Sequence, residues 1–174
     1  MCLVCLFVRL YFTICHVPSH LKLLVITFQA TNGAPALEKK GIQITASGGS
    51  VTLTAMTSEP QGCGAFQIIP TASLGYNYIA FVGKAQASSI NPSQLGLLAV
   101  EDATKIIVRL KSGSGMQFFF NNTFYNDKPG GSNQLIVSMN KGDTFQMRSV
   151  MGVTDVTGTF VLSQKKVNCY MYLS

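Results

Sequence analysis

The feature that most constrains this chain is its rhythm. From Leu21 onward, short β-favouring runs are broken by Gly, Ser, Asn and Pro, and no stretch carries apolar residues at i, i+3, i+4 and i+7 over three turns. Val51, Leu53 and Ala55 share a face opposite Thr52 and Thr54, and Ile106, Val108 and Leu110 alternate with Lys105, Ile107 and Arg109. Such period-2 patterning makes half-buried antiparallel strands, with Lys105 and Arg109 facing solvent. The expected fold is therefore all-β, an antiparallel β-sandwich.

The turn residues divide the body into expected hairpins. One runs from Gly41 through Ser47-Gly48-Gly49-Ser50 to Ala55. A second joins Leu135, Val137 and Met139 to Phe145 and Met147 through Asn140-Lys141-Gly142-Asp143. A third joins a face of Phe160 and Leu162 to Val167, Cys169 and Met171 through Gln164-Lys165-Lys166. The segments GIQITASGGSVTLTAM and GTFVLSQKKVNCYMY share an order of Gly, strand, polar turn and strand, which suggests an internal repeat and two related halves.

Residues 1–20 read differently. MCLVCLFVRLYFTIC is apolar but interrupted by Arg9, with no basic start before it. It is either a signal-like leader or an artefact of a wrongly joined gene start, and it is too short for a spanning helix, so no membrane-spanning segment is expected. Residues 21–174 form the expected β domain.

Composition narrows the function classes. Charged residues make up only 11% of the chain, and the net charge of +6 is dispersed apart from Lys39-Lys40 and Lys165-Lys166. Without a basic stripe interleaved with aromatics, nucleic acid is not an expected partner. His16 and His20 flank Pro18, which breaks the helix their spacing would need, and no cysteine pair has ligand spacing, so neither metal nor cofactor is expected. Glu101 and Asp102 are neighbours and on a strand would point to opposite faces, so no paired-carboxylate catalyst is visible, and no nucleophile motif occurs. The chain is not expected to be an enzyme.

Other candidate sites follow from residue chemistry. Cys63 and Cys169 are the body cysteines; they are able to pair in an oxidising compartment, and the rival role for Cys63 is a loop thiol between Gly62 and Gly64. Asn121-Asn122-Thr123 is a glycosylation sequon at Asn121. The aromatic cluster around it, with Phe120, Phe124 and Tyr125, is either a ligand contact or buried strand core.

The segments QLGLLAVEDATKIIVRLKSG, LIVSMNKGDTFQMRS and DVTGTFVLSQKKVNCYMYLS resemble the amino-terminal domain of the IgGFc-binding protein family. The family's A-x-E-D-x-T strand is met by Ala99, Glu101, Asp102 and Thr104, and its G-D-T-[YF]-Q turn by Gly142, Asp143, Thr144, Phe145 and Gln146. Its T-G-T-x-V-x-S segment is met by Thr157, Gly158, Thr159, Val161 and Ser163. Upstream, Gly41 falls in a K-G-I-x-I element and Gly75 in an L-G-x-x-Y element. The likeness extends from about Lys40 to Ser174, lacks the proline usual before Val167, and stops where the family continues.

The motif's chemistry is that of a scaffold: Gly142 suits a positive φ, Asp143 a hydrogen bond to backbone amides, Gly158 a close approach or bulge, and Thr157 and Thr159 exposed strand faces. The resemblance implies a secreted, extracellular glycoprotein module of adhesion or mucus-scaffold type that binds protein or glycan, with further extracellular domains in the full-length relative. The rivals are a lectin-like jelly roll and a truncated fragment whose last strand leaves an open sheet edge.

Overall fold

The computed structural model describes residues 7–9, 36–45, 54–59, 62–82, 93–111, 117–120, 123–126, 133–148 and 156–173. Their elements are the strands β1 (Phe7–Arg9), β2 (Ala36–Glu38), β3 (Thr54–Glu59), β4 (Gly62–Gln67), β5 (Asn77–Ile79), β6 (Ser93–Ala99), β7 (Thr104–Arg109), β8 (Gln117–Phe120), β9 (Thr123–Asn126), β10 (Gln134–Met139), β11 (Thr144–Arg148), β12 (Phe160–Ser163) and β13 (Val167–Leu173), with one short 3-10 turn at Thr71–Ser73. The all-β expectation is met.

The chain forms two compact units. The first takes Met1–Ala30 and Ile42–Ser73, and the second Thr31–Gly41 and Leu74–Ser174. In the first unit, β1, β3 and β4 make a sheet in which β3 and β4 pair from Thr54 opposite Gln67 to Glu59 opposite Gly62. The Ser47–Ser50 turn of the expected first hairpin lies outside the described residues. Phe7–Arg9, within the apolar leader, pairs with β3.

The second unit is the sandwich. One sheet has the order β10-β7-β12-β5 and the other β13-β6-β11-β2, and every pairing is antiparallel. A single apolar core lies between them. Leu95, Leu97, Phe145, Met147 and Val167 come from one sheet, and Ile106, Val108, Leu135, Val137, Met139 and Val161 from the other. The period-2 pattern dictates this: β7 and β10 bury every second residue, and Lys105 and Arg109 stand in solvent as expected.

Connectivity departs from the hairpin reading. β10 and β11 lie in different sheets, as do β12 and β13, and as do β6 and β7. Each of these turns carries the chain across the core instead of back along a neighbour. Two further corrections follow. The segment from Gly158 is not a hairpin, so it is no copy of one at Gly41, where residues 41–45 are not strand and the remainder lies largely outside the described residues. In β12 it is Val161 that is buried, while Phe160 is 44% exposed, the reverse of the expected phase.

Among the described residues, β13 and β2 are the outer strands of their sheet. Among the described residues, no helix is long and apolar enough to cross a membrane.

Candidate functional site

The crossovers bring most of the family-motif residues to one end of the sandwich. The turn between β6 and β7 meets the turn between β10 and β11 through reciprocal bonds. The Lys141 N–H donates to Asp102 Oδ1 at 3.0 Å, and the Ala103 N–H donates to Asn140 Oδ1 at 3.1 Å. Backbone bonds complete the seam: Gly142 donates to the Ala99 carbonyl at 2.9 Å, and Ala99 donates to that of Asp143 at 3.0 Å. The third crossover joins through Lys165, whose Nζ donates to the Asp102 carbonyl at 2.6 Å.

Each motif residue has a local reason to be there. Gly142 takes φ +84°, a left-handed turn in which a Cβ would be strained although nothing lies near it. Asp143 Oδ2 accepts the Asn140 N–H at 2.7 Å, closing the turn from its far side. Thr104 Oγ1 donates to the Glu101 carbonyl at 2.7 Å, fixing the entry to β7. Gly41 donates to the Gly142 carbonyl at 2.8 Å, and an added Cβ there would fall 2.6 Å from Leu98 Cδ1. Gly75 donates to the Tyr78 hydroxyl, which donates in turn to the Val167 carbonyl at 2.7 Å. The polar groups of this end serve the joints between strands.

Thr157, Gly158 and Thr159 lie at the opposite end, leading into β12. Gly158 has φ +83° and exchanges backbone bonds with Ala80 together with Thr159. The exposed faces expected for the threonines are not found. Thr157 is half-buried and its Oγ1 accepts the Val82 N–H at 2.9 Å, while Thr159 is fully buried with its hydroxyl unpartnered. They precede β12, which is held between β7 and β5.

Cys169 is a free thiol. Its side chain packs on the core cluster, and burial pushes the thiol up from 9.0 to about 12. Cys63 sits in β4 of the other unit. Asn121 lies outside the described residues. Phe120 and Phe124 fall in the paired strands β8 and β9, and Tyr125 packs against the core, which favours the structural reading of that residue over ligand contact. Among the described residues, no group of three or more His, Cys, Asp and Glu side chains gathers as a metal cluster would.

The sequence reading missed a surface. The outward positions of β10, β7, β12 and β5 align in rows: Gln134, Arg109, Phe160 and Ile79 in one, and Ile136, Ile107, Leu162 and Asn77 in the next. Ile79 is 60% exposed, Ile136 48%, and Phe81, one step beyond Ile79 in the same alternation, 87%. The outward side of the other sheet is closed by comparison, since Gln94 and Gly96 of β6 are buried. The signal was present in Ile107, Ile136 and Phe160, apolar residues at positions where the alternation calls for polar ones.

The clasp thus joins the crossovers at one end of the β-sandwich, and the β10-β7-β12-β5 sheet carries exposed apolar side chains on its outward face. Residues 64–171, more than half the chain, match the family model described as IgGFc binding protein, and the chain belongs to that family. The matched span begins inside β4, so the Lys40–Ile44 element of the expected likeness precedes it. No curated protein and no solved structure matches the chain.

Proposed function

We propose that this chain is a non-catalytic extracellular module that binds protein, in an adhesion or mucus-scaffold setting. The observation that carries the reading is family membership over residues 64–171. The fate of the motif chemistry supports it. Asp102, Asp143 and Thr104 hydrogen-bond to backbone groups of the crossovers, which supports a scaffold role for them. Burial pushes the Cys169 thiol up to about 12, which disfavours the thiolate that nucleophilic chemistry needs. An extracellular setting is supported by the family and by the sequon at Asn121.

The test is to express the chain in secreting eukaryotic cells, take its intact mass with and without deglycosylation, and present it to IgG Fc, to F(ab′)2 and to mucin glycopeptides by interferometry. Secretion with a glycan at Asn121 and saturable binding of a protein analyte are the expected results. Retention of an unglycosylated chain, or turnover in a panel of hydrolase substrates, would contradict the reading. Binding confined to protein-free glycans would favour the lectin alternative.

A further inference from the structure

The apolar face of β10-β7-β12-β5 is the unexplained part of the molecule. An exposed Phe81 or Ile79 alone means little, because single apolar residues are common on protein surfaces. Here the exposed side chains are neighbours in register across four strands, with Phe160 directly between Arg109 and Ile79. Contiguous apolar area of this kind on a soluble domain marks a contact surface, and an aromatic beside an arginine is the composition of interface anchors.

Charge identifies the occupant. Among the outward positions of these strands the charged residues are Lys105 and Arg109, both cations and both exposed. Arg109 is exposed, stands opposite Phe160 in the register, and its guanidinium donates to Gln134 Oε1 at 3.4 Å, a long bond among five available donors. A second copy of the chain, itself at +6, would bring the same cations to the contact or bury them against apolar rows without counter-charge. A partner with carboxylates among its apolar side chains satisfies both.

We propose that this sheet face is the docking surface of the module, and that its occupant is a protein surface of apolar residues carrying an Asp or Glu that pairs with Arg109. The proposal rests on the protein-binding reading above and names the site and partner chemistry it leaves open.

The experiment uses the full secreted chain, immobilised, with a display library of random peptides as the probe. The selected peptides are then measured against Arg109→Glu, Phe160→Ser and a control, Lys39→Glu, which makes the same charge change on an exposed residue after β2. Thermal denaturation of each variant checks folding. The expected result is peptides rich in Asp or Glu beside aromatic and aliphatic residues, losing at least about tenfold in affinity on Arg109→Glu and on Phe160→Ser and nothing on Lys39→Glu. Undiminished binding to both face variants overturns the proposal and leaves the protein-binding reading intact, whereas a library yielding no binder counts against both. Selection of basic peptides, or a concentration-dependent dimer dispersed by Phe160→Ser, overturns the acidic partner.

Discussion

Two residues in left-handed conformation meet at the clasp, and only one of them is a glycine. Gly142 has φ +84° and Ala103 φ +50°. For Ala103 the strain is of order 1 kcal/mol, offset by its N–H bond to Asn140 Oδ1. Replacing Gly142 with Ala should cost about 1–2 kcal/mol in urea denaturation, and replacing it with Asn distinctly less, because Asn tolerates this region. Equal costs would mean that sterics and not backbone conformation set the residue there.

Cys169 carries a pH prediction. Its folded thiol is raised to about 12, so between pH 9 and 12 the unfolded chain loses a proton that the folded chain keeps. The contribution is intact below about pH 9 and is lost as pH rises through that window. Stability should therefore fall more steeply with alkaline pH in the wild type than in Cys169→Ala, and alkylation at pH 8 should be slow until the protein is unfolded. Gly142 and Asp143 were legible in the sequence because turn chemistry is local. Ala103 was not, since what holds it is Asn140, distant along the chain and adjacent only after folding.

Among the elements, strands were legible and their partners were not. β7, β10 and β11 follow from period-2 burial, but a strand, turn and strand with matched faces describes equally a hairpin and a crossover between sheets. The choice is made elsewhere. β11 is held between β6 and β2, and β10 lies beside β7, so the turn at Asn140–Asp143 must cross the core. In β12 the phase was misjudged because Phe160, Val161 and Leu162 are all apolar; the smaller Val161 points inward, opposite Val108 and Tyr78. If the crossovers brace one another, removing Asp102 and Asn140 together should cost less than the sum of the separate Ala substitutions. A double-mutant cycle should return a coupling of about 0.5 kcal/mol or more, where independent turns would give none.

For the whole molecule, the motif that carries the family likeness and the proposed docking surface are different parts of the sandwich. The first consists of short-range turn chemistry and close backbone approaches, which a sequence displays. The second consists of Ile79, Phe81, Ile107, Ile136 and Phe160, scattered along the chain and made neighbours by the order β10-β7-β12-β5. Composition records that the chain is rich in apolar residues at 47%, without recording which of them the core leaves outside.

The most direct measurement of that separation takes stability and affinity on the same variants. Urea midpoints and binding of library-selected peptides would be recorded side by side for Gly142→Ala and Phe160→Ser. The account predicts that Gly142→Ala loses stability and, while folded, keeps its affinity, whereas Phe160→Ser keeps its midpoint and loses binding. Lost affinity in a fully folded Gly142→Ala, with Phe160→Ser binding as the wild type does, would place recognition at the clasp and contradict it.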